Sequence, residues 1–310
     1  MLEYGIIIFN QMIVMVLLVA AGYFFYKKGI IDDPAAEKLS RLLSTYIIPA
    51  SIIVSFQRPY ESALAKDLFS LFLTGLGSFL LSILLAQKVY PPQKFANYAD
   101  RQMCIIFTNN GFLAFPLLEG MFGSLGVFLG SAHLAAMNLV LWTYGVYLME
   151  ENGKQLSLKK IVANPGVLAF LCGVIVFVSP VKLPHNIFLA LKYLSGIMTP
   201  LAMIVLGSFI AQISVKSYFN DYSVRQASFY RLIVIPAVTM LILYFLPLAL
   251  TAKIVLLVAV AAPTAVVSPM FAKIYHTDYL FSTRVVALST LLSIITLPLI
   301  ITVFTYLSSL

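Results

Sequence analysis

Apolar residues in this chain come in long, nearly unbroken runs, not in the alternation of a half-buried strand or the one-sided stripe of a soluble helix. Ten runs separate, at 5–26, 39–56, 67–89, 102–122, 124–149, 161–180, 190–214, 229–250, 252–274 and 279–308. Runs of this length and apolarity predict helices that cross a bilayer. Turn-forming clusters divide them: Asp32-Asp33-Pro34, Arg58-Pro59, Pro91-Pro92, Asn152-Gly153, Pro180 to Pro184 and Asn220-Asp221. Only Pro247 and Lys253 mark the boundary between the eighth and ninth runs. The first run has Glu3 and no basic lead ahead of it, and it is too long for the apolar core of a cleaved signal. It is predicted to remain as a helix.

Composition agrees with the runs. The 310 residues are 61% hydrophobic and 10% charged, against about 45–50% and about 25% in a soluble domain. Ten helices of about 20 residues occupy roughly 200 positions, leaving about 110 for loops and ends. That remainder holds no separate soluble domain, so a receptor ectodomain, an appended enzyme, a disordered chain and a nucleic-acid binder are excluded. The net charge of +8 is read loop by loop. Fifteen Lys and Arg fall in odd-numbered loops, with Lys216, Arg225 and Arg231 assigned to the seventh, and five fall in even-numbered loops. This bias predicts cytoplasmic odd loops and both termini on the outer side of the cell membrane. Cys104 and Cys172 lie in apolar runs and read as small buried hydrophobes.

Ten runs divide into five and five, and an odd number per half requires the second half to be inserted upside down. A shift of 151 pairs Leu43 with Leu194, Ser44 with Ser195, Pro49 with Pro200, Ile53 with Ile204 and Val54 with Val205. A shift of 153 pairs Pro116 with Pro269 and sets Asn110 opposite Pro263. The predicted organisation is a five-helix repeat over 1–150, a connecting loop over 151–160 and an inverted repeat over 161–310. Inverted repeats with helices interrupted at corresponding places are a pointer to the central site of a secondary transporter.

Two interruptions stand out. The fourth run reads Thr108-Asn109-Asn110-Gly111-Phe112-Leu113-Ala114-Phe115-Pro116, and the ninth reads Ala261-Ala262-Pro263-Thr264-Ala265-Val266-Val267-Ser268-Pro269. Adjacent amides, a glycine and prolines in mid-membrane are tolerated where they line a cavity. Each proline removes a backbone donor, so the helices are predicted to break, with Pro116, Pro263 and Pro269 as crossover residues. Restarted half-helices present N–H groups and partial positive charge, which suit a carboxylate. Asn109, Asn110, Gly111, Pro263, Thr264 and Ser268 are the predicted substrate-binding set, with the Asn amides as donors. His133 and Asn138 in the fifth run join it as intramembrane polar groups. Asn10 and Gln11 in the first run either line the pocket or form a helix contact. Glu119 is the candidate for coupling to H⁺ or Na⁺, the alternative being an anchor at the outer interface.

The stretch FTNNGFLAFPLLEGMFG at 107–123 resembles the fourth helix of the auxin efflux carrier family, which includes plant PIN-type carriers and bacterial malate or malonate permeases. Asn109, Pro116, Leu117, Leu118, Phe122 and Gly123 carry the likeness. The stretch APTAVVSPMFAKIY at 262–275 is similar to the family's ninth helix, through Pro263, Pro269, Phe271, Ala272, Lys273 and Tyr275, and Asn164-Pro165 matches at the sixth. The resemblance implies an all-α integral membrane fold of ten helices shared with bile-acid symporters and sodium/proton antiporters. Helices one, two, six and seven would form a scaffold. Helices three to five and eight to ten would form a mobile part in which four and nine cross. It also implies a homodimer and elevator-like movement. Two departures are visible: no long central loop follows the fifth run, and the third run lacks the mid-membrane acid of plant auxin carriers.

The sequence therefore predicts a permease for a small organic anion, a mono- or dicarboxylate of the malate or malonate type. The alternatives are an auxin-like aromatic acid carrier, an ion channel and a structural membrane protein. No GxSxG, HExxH or acidic pair is present, and His133, His185 and His276 lie in separate regions. Neither an enzyme, a metal site nor a cofactor is expected, and the partners are the carried anion and the bilayer, not nucleic acid.

Overall fold

The structure is a computed structural model that describes residues 2–149, 164–179, 182–212, 219 and 221–308. The predicted connecting loop at 151–160 lies outside the described residues. Each of the ten apolar stretches is helical where described. The first is Leu2–Lys27, the second Asp33–Phe56, the third Ser62–Val89, the fifth Ser124–Met149 and the sixth Pro165–Val178. The seventh is His185–Ala211, the eighth Tyr222–Phe245 and the tenth Tyr279–Leu307. The fourth and ninth are each split, into Tyr98–Ile106 with Asn110–Ala114 and Phe115–Phe122, and into Leu250–Ala261 with Val267–Ile274. Six of the described helices are long and apolar enough to cross a membrane. The fold is all-helical among the described residues; their isolated bridge between Thr108 and Thr264 belongs to no strand. Leu17, Phe69, Leu80, Ile175, Leu241 and Ile295 are exposed on helix surfaces, an apolar coat that suits lipid and not water.

The sequence punctuation acts as helix caps. Asp32 accepts from Ala35 N at 2.8 Å, Asn164 from Gly166 N at 2.9 Å, and Asp278 from Phe281 N at 3.0 Å, each satisfying an orphan donor of a first turn. Three of the prolines inside stretches follow a second rule. The π-turns Leu43–Ile47, Asn110–Ala114 and Tyr230–Val234 are each followed, two residues on, by Pro49, Pro116 and Pro236. A proline clashes with the carbonyl four residues back and gives it no hydrogen bond. Widening that turn relieves the clash without ending the helix.

The eighth stretch corrects the predicted range of 229–250. Asp221 accepts from Ser223 N at 2.9 Å and starts the helix at Tyr222, and the helix ends at Phe245 ahead of Pro247. Arg231, assigned above to a loop, is thus well inside a helix and 1% exposed. Removing it leaves fourteen basic residues in the odd loops, so the direction of the charge bias stands. Hydropathy missed it because the first two turns of this helix, Tyr222–Phe229, are polar.

Close packing places the broken helices. The first stretch runs along the seventh through Gly22 and Gly207. A Cβ added to Gly22 would lie 2.1 Å from the Ile204 carbonyl oxygen, and one on Gly207 2.0 Å from that of Val19. Small residues of this kind let membrane helices approach backbone to backbone. Gly173 of the sixth stretch meets the Phe56 ring of the second, and Gly75 of the third meets His133 of the fifth.

Candidate functional site

The two interruptions meet. The chain is extended at Phe107 and pairs across to the ninth stretch: Asn109 N donates to Pro263 O at 2.8 Å, and Ala265 N to Phe107 O at 3.0 Å. These bonds form the antiparallel bridge between Thr108 and Thr264. Non-helical backbone survives at membrane depth only where protein satisfies its polar groups, and here each break does so for the other.

The carboxyl end of Tyr98–Ile106 is fully partnered from the second half of the chain. Ser268 Oγ donates to Met103 O at 3.4 Å and Thr264 Oγ1 to Cys104 O at 2.8 Å. Arg231 Nη1 donates to Ile105 O at 3.0 Å and to Ile106 O at 3.4 Å, while its Nη2 donates to Val260 O near the end of Leu250–Ala261. Thr264 N donates to Ser289 Oγ of the tenth stretch at 3.1 Å. The Thr264 and Ser268 hydroxyl protons, predicted to face a ligand, are therefore committed to the crossing itself. Thr264→Val strands the Cys104 carbonyl. It is expected to cost about 1–3 kcal/mol and to lower the melting temperature in detergent, with Thr264→Ser close to wild type.

The amino-terminal side is different. Asn109 Oδ1 accepts from Phe112 N at 3.3 Å and caps the restarted helix, but its Nδ2 has no partner among the described residues. Asn110 Nδ2 lies 3.1 Å from His133 Nδ1 and 3.3 Å from Met137 Sδ, and its Oδ1 is unpartnered. His133 stacks on Phe79 at 4.9 Å and leaves Nε2 unpartnered. With the Asn110 amide donating, the imidazole proton sits on Nε2. Two donors and one acceptor are thus buried without partners, on side chains at most 3% exposed. A buried polar atom left unpaired costs about 1–3 kcal/mol, and these three belong to Asn109, its neighbour Asn110 and the His133 that Asn110 contacts.

The remaining predicted residues have other roles. Pro263 contributes its carbonyl to the bridge. Pro116 and Pro269 are not breakpoints: Pro116 follows the π-turn Asn110–Ala114 within a continuous helix, and Pro269 sits in the first turn of Val267–Ile274, where a missing N–H is tolerated. A Cβ on Gly111 would come within 2.7 Å of Ile48 Cδ1, so Gly111 allows close approach to the second stretch. Asn138 is turned away from His133 and lies against Gly166, whose added Cβ would stand 3.1 Å from its Nδ2. Five residues on a helix end about 140° past a full circle, whereas Met137, four on, ends about 40° past it and shares the His133 face. Glu119 Oε2 accepts from Thr199 Oγ1 of the seventh stretch at 2.8 Å. Gln11 packs on Gly120, while Asn10 is exposed. Arg231, Met137 and Ser289 are the site residues that sequence reading missed. A signal existed only for Arg231, an arginine in a helix started by the Asp221 cap. No group of three or more His, Cys, Asp or Glu among the described residues is placed to hold a metal ion.

Two cavities flank the crossing without including its residues. One of about 990 Å³ opens at the odd-loop face, with Asp100, Gln102, Tyr144 and Asp278 in its wall. One of about 630 Å³ opens at the even-loop face beside Arg58, Lys182 and His185. Arg58 there lies over the Phe128 ring at 4.6 Å, and burial holds its guanidinium below its usual value.

A family model described as "Membrane transport protein" matches residues 7–301. The chain is 27% identical over 282 residues to an uncharacterized transporter of Methanothermobacter thermautotrophicus, covering 87% of this chain and 90% of the relative. It is 25% identical over 283 residues, with the same coverage, to an uncharacterized transporter of Methanocaldococcus jannaschii.

Proposed function

We propose that this chain, which belongs to the membrane transport protein family of auxin efflux carriers, moves a small organic anion across the cell membrane. It is a transporter and not an enzyme. One carboxylate rests at the crossing, where Asn109 Nδ2 and His133 Nε2 donate to it. The acceptor Asn110 Oδ1 takes a hydroxyl or a protonated carboxyl of the same molecule, as in a malate- or malonate-like acid. The observation that carries this reading is the trio of unpaired buried polar atoms at the amino-terminal side of two meeting breaks. The restarted helix at Asn110–Ala114, capped by Asn109, adds partial positive charge at that side.

In this reading residues 1–150 and 161–310 are inverted five-helix repeats with both termini outside, and four and nine are their crossing helices. The first, second, sixth and seventh helices form the scaffold, supported by the packing of the first on the seventh and the second on the sixth. The other six move against it as an elevator, two copies of the chain forming a dimer. Cavities at both faces, with the crossing sealed between them, suit such alternation.

The test is purified protein in liposomes, offered labelled malate, malonate, lactate and indole-acetate under imposed pH and Na⁺ gradients. Saturable uptake with exchange between the two sides is expected. Non-saturating flux without exchange means a channel, and a preference for indole-acetate favours the aromatic acid carrier, whose ring N–H would then meet Asn110 Oδ1. Glu119, bridging a moving helix to Thr199 of the scaffold, is the candidate coupling group. Glu119→Gln is expected to flatten the pH dependence of uptake, and an unchanged profile would leave it as a contact to Thr199 alone.

A further inference from the structure

In secondary transporters with interrupted helices, the carboxyl ends of half-helices and unwound carbonyls are the usual ligands of a coupling cation. In this chain the carboxyl ends of Tyr98–Ile106 and Leu250–Ala261 converge on a side chain. Arg231 spans them, one guanidinium nitrogen on Ile105 O and Ile106 O, the other on Val260 O. It is buried, and among the described residues the one ion pair joins Arg284 and Asp221 at 3.7 Å. No carboxylate there balances Arg231. The balance comes from dipoles: each helix carboxyl end carries about half a negative charge, so two ends offset roughly one guanidinium. A planar fork reaches both ends at once, which a lysine ammonium does not.

We propose that Arg231 is a tethered cation that occupies the place of a coupling metal ion, so that the crossing accepts an anion without Na⁺. With the carboxyl ends neutralised, the two restarted amino ends remain to hold about one negative charge. Without the guanidinium, an anion entering the same site would need a cation to enter with it. The inference rests on the crossing being the carrier site, but its test needs no substrate.

Wild-type protein and Arg231→Ala are melted in detergent in choline, sodium and potassium chloride of equal ionic strength, and with millimolar guanidinium. The wild type is expected to melt at one temperature in all of them. Arg231→Ala is expected to melt lower in choline and to recover saturably, by several degrees, in guanidinium or Na⁺. Arg231→Lys, which keeps a tethered charge, is expected to stay indifferent to the cation. Saturable stabilisation of the wild type by Na⁺ overturns the proposal. So does an Arg231→Ala protein that melts alike in every cation, which would mark a structural bond set only. If the alanine variant yields no folded protein, equilibrium binding of ²²Na⁺ to the wild type decides: saturable binding overturns the proposal and none supports it. Failure of the transport reading shows elsewhere, as absent uptake in every salt with these melting results unchanged.

Discussion

Asn109→Ala abolishes uptake of the carried acid while the protein stays folded. Two functions of one side chain are lost together. Oδ1 caps Phe112 N, and loss of a cap costs about 0.5–2 kcal/mol, a tolerable loss for a helix held by the bridge to Pro263. Nδ2 is the unpaired donor assigned to the carboxylate. A hydrogen bond to a charged group contributes about 1.5–3 kcal/mol, so its removal alone weakens binding roughly 10- to 150-fold. Asn109→Ser separates the two effects, because serine caps well but brings no amide. It is expected to melt close to wild type and still fail in liposome uptake. Wild-type uptake by both variants would remove Asn109 from the site.

Gly22→Val prevents assembly of the helices on which the crossing rests. The atoms that a Cβ would meet are the Ile204 carbonyl oxygen at 2.1 Å and its carbonyl carbon at 2.7 Å. Both are backbone, so no rotamer change makes room. Overpacking a core costs about 1–3 kcal/mol even where side chains can shift, and here two helices must part. Gly207→Val meets the same obstacle from the other side, with Val19 O at 2.0 Å. Neither variant is expected to give a monodisperse peak on size exclusion, whereas Gly77→Ala, with nothing within 4 Å of the added atom, should match the wild type. A stable Gly22→Val protein would show that this contact is looser than described.

Much of this architecture was legible because the bilayer imposes simple rules. Long apolar runs had to be helices, and Asn109-Asn110-Gly111 and Pro263 had to interrupt them, since unsatisfied backbone in lipid is costly. What the interruptions do to each other was not legible. Thr264 and Ser268, four apart, would share a face in an unbroken helix, and only three-dimensional pairing shows their hydroxyls turned to Cys104 O and Met103 O. Pro116 and Pro269 looked like breakpoints because a proline removes the same hydrogen bond wherever it falls. A π-turn before Pro116 and a helix start before Pro269 absorb that loss. Arg231, at the edge of the run predicted over 229–250, reads as a loop charge because the two polar turns before it and a true loop have the same composition. The partners that make its burial affordable are carbonyls on two other stretches, far away in sequence. His133 and Asn138 were grouped by polarity, but their spacing put them on different faces, and the neighbour of Asn110 is Met137.

The most direct measurement is an experimental structure of the protein with the acid that gives the strongest liposome uptake. The account predicts a carboxylate within hydrogen-bond reach of Asn109 Nδ2 and His133 Nε2, between the two restarted helices. An acid seated in a cavity at either membrane face, with those atoms still unpaired and the crossing empty, would contradict it.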